Sequence, residues 1–305
     1  MKIAFFITAH KFERQFEWLF KSIWNPDDVF LIHISTAAPD EYVRTVQRMT
    51  ESCGNVHFLP RMTITWGGWS LVEATLAAIR FFCKHPAEWD YFINLSGQDY
   101  PLRPIDELRS FLRKHDGTNF IQMTHIDDEP FHIRRRLHWY CIEHHGQLRR
   151  LPIPNLRAMR ARVNWYGHLW CNLSRDFCNW LDTNETTEAY RRALRHTKIP
   201  DEFFFQSAIM QSPFADTVNL DPHRYLKFKM GAAGPKTLTS KDLDLMLGSQ
   251  AFFARKFDET VDAGVLHDLA HRIGARIPAA AGQADRPSGT ALPWQPPART
   301  MHETF

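Results

Sequence analysis

The sequence predicts an α/β fold, a mainly parallel sheet with helices on both faces. Three observations lead there. Short apolar runs alternate with segments of helical period four times over roughly the first 120 residues, the order that a parallel sheet requires. Each apolar run has the length of a buried strand and stops at small or polar loop residues. The 305 residues are 44% hydrophobic and 23% charged, with 23 Phe and 10 Trp, so one large domain or two small ones can bury a sizeable core.

Residues 3–9 form the first apolar run and end in Thr8-Ala9-His10. In residues 12–24, Phe16, Leu19, Phe20 and Ile23 share one helical face, and Asn25-Pro26-Asp27-Asp28 stops the helix. Residues 29–34 are the second strand, closed by Ser35-Thr36-Ala37. A helix from Pro39-Asp40 to about residue 53 and a short strand at 55–59 follow. In the loop Thr65-Trp66-Gly67-Gly68-Trp69-Ser70, Ser70 and Glu73 have the spacing of a capping box for a helix over 71–83. Residues 91–95 are the fourth strand, 96–101 its loop, 105–114 a helix and 120–123 a fifth strand. Ligands of such sheets bind at the loops beyond the carboxyl ends of strands.

The second half is less regular. It predicts a strand at 170–173, a helix at 175–182, a helix starting at Asp201 after Pro200, and helical pieces at 242–247, 251–256 and 261–273. Residues 277–305, rich in Pro, Ala and Gly and without a period, are expected to be a disordered tail.

A formal net charge of +3 dictates no partner. Its distribution is uneven: eight arginines (Arg134, Arg135, Arg136, Arg149, Arg150, Arg157, Arg160, Arg162) and one acid, Glu143, lie between His132 and Trp165. That stretch is either a solvated helical face or a surface for an anionic acceptor or acidic lipid head groups. The five cysteines form no Cys-x-x-Cys pair, and among the sixteen histidines His144-His145 and the His132/His138 pair lack Asp or Glu partners at liganding spacing, so no metal site is expected. The apolar start of the chain meets charge at Lys11, Glu13 and Arg14, and no run approaches the ~20 residues that cross a bilayer. The expectation is a cytoplasmic protein with at most peripheral contact at the inner face of the membrane.

Taken residue by residue, several positions have two readings. Glu202, just after Pro200, is either a helix-start acid or a general base. Arg255-Lys256 is either a pair of exposed helix cations or a phosphate clamp. Trp66 and Trp69 flank Gly67-Gly68, which suits either core packing or a stacked sugar. Asp242-Leu243-Asp244 matches a metal-binding Asp-x-Asp formally but sits in a first helical turn, where acids are expected anyway.

Three segments, in order, resemble one family. Tyr91-Phe92-Ile93-Asn94-Leu95-Ser96-Gly97-Gln98-Asp99-Tyr100-Pro101-Leu102 is similar to the strand-and-loop signature of the core-2/I-branching β-1,6-N-acetylglucosaminyltransferases and peptide O-xylosyltransferases. Pro200-Asp201-Glu202-Phe203-Phe204-Phe205-Gln206 resembles their Pro-Asp-Glu motif, and Phe252-Phe253-Ala254-Arg255-Lys256-Phe257-Asp258 their C-terminal basic motif. Together with lesser echoes around Trp66, Leu173 and Pro235, the resemblance covers the chain to about residue 273.

The resemblance implies a GT-A-like, Rossmann-type catalytic domain over 1–276, with a nucleotide-binding half (1–125) and an acceptor-binding, catalytic half (126–276). It implies metal-independent, inverting transfer of GlcNAc or xylose from a UDP-sugar to a glycan, glycolipid or peptide hydroxyl, with no cofactor. Glu202 is then the base. Arg255 and Lys256, joined by Lys236, contact the diphosphate. Thr8, Ala9, His10, Ser35 and Asp99 line the nucleotide, and Trp66, Gly67, Trp170 and Asp201 the substrates, with Asp201 also expected to cap its helix. The family's His-Ile-Asp is His33-Ile34-Ser35 here, which removes an acid from the base-recognition position. Two rivals remain: a nucleic-acid binder using the arginines with Trp139, Tyr140, Trp165 and Tyr166, against which the near-neutral charge argues, and a non-catalytic sugar-nucleotide scaffold. No nucleic-acid partner is expected.

Overall fold

The structure, a computed structural model, describes residues 1–228 and 234–275; the expected tail lies outside them. Along the first strand, β1 (Ile3–Ala9), burial alternates with the period of the pleat: Ile3, Phe5 and Ile7 enter one core, Ala4 and Phe6 another. After it come α1 (Glu13–Ile23), β2 (Val29–Ile34), α2 (Asp40–Thr50), β3 (Val56–Leu59), α3 (Ser70–Lys84) and β4 (Tyr91–Ser96). Next are β5 (Asp99–Pro101), α4 (Ile105–Lys114), β6 (Asn119–Ile121), β7 (Thr124–His125), α5 (Phe131–Arg134), β8 (Trp139–His144), β9 (Gln147–Pro154), α6 (Leu156–Arg160), β10 (Trp165–Tyr166) and β11 (Cys171–Ser174). The rest is α7 (Arg175–Thr183), α8 (Glu185–Leu194), α9 (Phe204–Met210), β12 (Val218–Asn219), β13 (Arg224–Leu226), α10 (Leu243–Leu247), β14 (Phe253–Arg255) and α11 (Gly264–Arg272).

The central sheet has the order β12-β6-β11-β4-β1-β2-β3. Its pairs are parallel except those of β11, which runs antiparallel to both β4 and β6. One core packs α1, α2, α4 and α11 on one face; the other packs α3, α7 and α9 on the opposite face. The mainly parallel α/β sheet with helices on both faces is the fold class expected from the alternation of elements. Among the described residues no helix is long and apolar enough to cross a membrane.

Local expectations need correction at four places. Residues 251–256 are not helical: residues 253–255 are strand β14, parallel to β13 and antiparallel to β5. The loop 96–101 accordingly contains β5, its partner. The arginine-rich stretch is not one helical face but includes the hairpin β8–β9. The capping box of Ser70 and Glu73 does not form, because Ser70 already lies inside the helix. Its Oγ accepts the Thr65 N–H at 2.8 Å, and its own N–H donates to Glu143 Oε1 at 2.8 Å. The lone acid of the arginine-rich stretch therefore serves the free N–H groups that open α3. Gly68 makes room for it: a Cβ there would stand 2.4 Å from Glu143 Cδ.

Candidate active site

The carboxyl ends of β1, β2 and β4 meet through their backbones. The Thr8 carbonyl accepts from Gly97 N–H at 2.8 Å and the Ala9 carbonyl from Ser35 N–H at 3.1 Å. His10 is exposed at this edge, and Ser35 is buried. The Ser35 hydroxyl is used within its own turn, accepting the Ala37 N–H at 3.3 Å. Arg61 donates from Nη2 to the carbonyls of Ser35, Thr36 and Ala38, pinning the loop that follows β2.

Asp99 and Arg255 are cross-strand partners on β5 and β14. Asp99 is 1% exposed; its Oδ2 accepts the Ser96 N–H at 2.6 Å, and its Oδ1 lies 3.4 Å from Arg255 Nη1. Asp99 thus fixes its loop and also faces a cation. Burial pushes its carboxyl pKa upward, against the pull of Arg255. A second arginine, Arg224 on β13, is buried in the same neighbourhood, and burial lowers its pKa to about 10. Arg224 Nη2 donates to Asn172 Oδ1 at 2.9 Å. The Asp99 carboxylate thus pairs with Arg255 and also feels the charge of Arg224. Arg255 Nε and Arg224 Nε are buried without a hydrogen-bond partner, which leaves donors and positive charge for an anion. The Arg255 guanidinium lies 3.7 Å from the centre of the Trp170 ring.

Glu202 closes a 3₁₀ turn at Pro200–Glu202, opened by Ile199 in the left-handed region (φ 55°). The turn is tied to the glycine loop: Gly67 (φ 71°) accepts the Ile199 N–H at 2.7 Å. The Glu202 carboxylate pairs with Arg136 and hydrogen-bonds to the Tyr166 side chain. Its pKa is raised, first by burial, with a contribution from Glu129, while Arg136 and Tyr166 pull it down. A carboxylate lifted in this way suits proton abstraction near neutral pH.

Residues 166–170 join the two sites. Tyr166 reaches Glu202, and Gly167 N–H donates to the Glu202 carbonyl at 2.8 Å. The His168 pKa is lowered by burial and then by the Arg255 charge, while Glu129 raises it. Trp170 lies under Arg255. Three residue steps from Gly167 to Trp170 span at most about 11 Å. Gly167 allows the approach, since a Cβ there would sit 1.9 Å from the Gln122 carbonyl oxygen.

The other predicted residues are placed as follows. Lys256 follows Arg255, is half-buried, and has no ion pair among the described residues. Lys236 is committed to Asp242, at 3.0 Å and 3.2 Å from its two oxygens, and Lys227 reaches the same carboxylate at 2.8 Å. Asp242 also forms a capping box with Thr239, and these contacts hold its pKa at about 2. Trp66 is 63% exposed beside Gly67, whereas Trp69 is core, its Nε1 bonded to Glu73 at 2.8 Å. Asp201 is buried but makes no helix cap; α9 begins at Phe204 without a side-chain cap. Among the described residues no three His, Cys, Asp or Glu side chains stand together as a metal site. Sequence reasoning did not single out Arg136 as a partner of Glu202, nor Tyr166, Glu129 or Arg224 as site residues. Each reaches the site through pairing distant in sequence, so no local signal marks it.

The sequence profile of the Core-2/I-Branching enzyme matches residues 3–247. Human xylosyltransferase 1 is 28% identical over 305 residues, covering 92% of this chain and 31% of its own length. The xylosyltransferase of Ciona intestinalis is 27% identical over 301 residues, covering 91% of this chain and 35% of its own. The chain thus spans about a third of the length of these curated relatives. Among solved structures, the galactosyltransferase LgtC in complex with donor and acceptor sugar analogs superposes with a TM-score of 0.44 at 10% identity, covering 92% of this chain and 98% of the other.

Proposed function

The chain belongs to the Core-2/I-branching enzymes, and on that premise we propose that it is a glycosyltransferase moving a sugar, GlcNAc or xylose, from a UDP-sugar to an acceptor hydroxyl with inversion. One observation carries the reading. Residues 166–170 reach a buried guanidinium at one end and a carboxylate of raised pKa at the other. Inverting transfer needs such a pair on opposite sides of a sugar.

In this reading the acceptor oxygen bonds to the anomeric carbon as its proton passes to Glu202. The bond from that carbon to the diphosphate oxygen breaks, and its electron pair leaves on the UDP. Arg255, aided by Lys256, stabilises the charge that grows there. Arg224 keeps this neighbourhood positive although Asp99 is present. The loops at Thr8, Ala9, His10 and Ser35 take the nucleoside, and the exposed Trp66 offers a face to a sugar. The buried guanidinium groups supply positive charge of the kind a divalent cation supplies elsewhere, so transfer is read as metal-independent. The acceptor is a glycan, glycolipid or peptide.

The deciding experiment is Glu202→Gln. The carboxamide keeps the size of the carboxylate, so the fold and UDP affinity should persist while turnover with acceptor is nearly abolished. More than a tenth of wild-type turnover would sink the assignment of the base.

A further inference from the structure

A cleft of about 490 Å³ is linked to the Glu202 carboxylate through Arg136, which lines the cleft and pairs with Glu202. Arg135, Arg150 and Lys198 line it as well, with Trp139 and Leu148 as its apolar wall. No acid is among the lining residues.

The hairpin β8–β9 builds one side. Arg150 stands opposite Cys141 in the ladder, and its guanidinium lies 5.4 Å from the centre of the Trp139 ring. Arg135 lies 5.7 Å from the Phe131 ring. Lys198 comes just before the turn that carries Glu202. Among the described residues none of these three cations has an ion pair, and only Arg136 has a carboxylate. The neighbouring acids are engaged elsewhere: Glu143 at the start of α3, and Asp127 beside Arg134 and His125. Like charges gathered in one recess repel, and a bound anion relieves that repulsion. The volume is that of a small-ligand site, large enough for one or two sugar rings.

We propose that this cleft is the acceptor subsite and that the acceptor is an anionic glycan, carrying a phosphate or carboxylate near the hydroxyl that reacts. The inference rests on the reading of Glu202 as base. Arg136 is the specificity-determining residue: it binds the anionic group, and in turning to do so frees the Glu202 oxygen that must accept the hydroxyl proton.

Binding of glucose 6-phosphate, glucuronic acid, glucose and inorganic phosphate to the full chain, measured by calorimetry with UDP present, tests this. The charged sugars should bind at least tenfold more tightly than glucose, and the stronger of the two identifies the anionic group. Arg135→Ala and Lys198→Ala should each weaken that binding at least fivefold and leave UDP affinity unchanged; Arg150→Ala is the further variant if either fails to fold. Equal binding of glucose, or variants that bind the charged sugars like wild type, overturns the proposal. Phosphate binding as tightly as glucose 6-phosphate reduces the cleft to an adventitious anion site and also overturns it. Tighter binding of a short poly-aspartate peptide overturns the glycan assignment. The donor reading fails separately, through loss of UDP binding or full activity of Glu202→Gln, so the two failures are distinguishable.

Discussion

The Arg255 guanidinium stands 3.7 Å from the centre of the Trp170 ring, while Asp99 Oδ1 faces it at 3.4 Å. Indole face and carboxylate hold one cation from two sides in a buried place. A desolvated cation–π contact is worth about 1–2 kcal/mol, or roughly 5–30-fold in affinity. Trp170→Ala is therefore expected to weaken UDP binding by that factor, and Trp170→Phe to restore most of it. Calorimetry with UDP checks this. Unchanged UDP affinity together with a raised acceptor KM would instead place Trp170 on the acceptor side.

Gly167 is a steric requirement of the site. A Cβ would meet the Gln122 backbone oxygen at 1.9 Å, which no rotamer change relieves. The Gly167 N–H also holds the Glu202 carbonyl. Gly167→Ala should cost at least the roughly 1–3 kcal/mol of an overpacked core and lower kcat. Thermal unfolding and turnover should fall together; a variant with wild-type melting temperature would contradict the geometry.

How much of this was readable beforehand depended on the range of the pairing. The strands β1, β2 and β4 are buried on both faces, so each is a nearly continuous apolar run, visible without knowing its partners. In β14, Phe253 to Arg255 is too short to show a period, and its strand character comes from β5, some 150 positions earlier. The hairpin β8–β9 carried a local signal, His145-Gly146, both at positive φ, as a type I′ hairpin turn requires. The arginines on either side drew the reading toward a helical face instead. Glu202 was marked by its motif, but Arg136, which decides how free its carboxylate is, stands 66 positions away.

Lys256 and Lys236 should separate. Lys256 has no competing acid among the described residues, so Lys256→Ala is expected to weaken UDP binding several-fold. Lys236 shares the buried Asp242 with Lys227, which still neutralises it when Lys236 is removed, so Lys236→Ala should leave UDP affinity within about twofold. Equal losses of UDP affinity in both variants would show that Lys236 leaves Asp242 for the diphosphate.

The same carboxylate bears on metal dependence. Asp242 is the first acid of the only Asp-x-Asp in the chain, and two lysines and the Thr239 capping box occupy it. Turnover is expected to be unchanged after treatment with EDTA. Full loss in EDTA, restored by manganese, would overturn the metal-independent reading.

Asp201 gives the last prediction its sign. Burial first, and then the Glu202 charge, raise its pKa to about 7, against about 3.9 for an unfolded aspartate. Between those values the folded chain holds a proton that the unfolded chain has released. The stabilisation is therefore fully present below about pH 4 and is lost as pH rises through about 7, at no more than about 1.4 kcal/mol per pH unit. Other groups titrate in this window: burial lowers the pKa of His33 to about 4, for instance, which acts in the opposite direction. The difference between wild type and Asp201→Asn isolates Asp201, because the amide stays neutral throughout. Urea unfolding at pH 5 and pH 8 should find the variant gaining on wild type at the higher pH. Parallel pH dependence of the two proteins would mean that Asp201 is ionised in the fold across this range, so that Glu202 works beside a second negative charge.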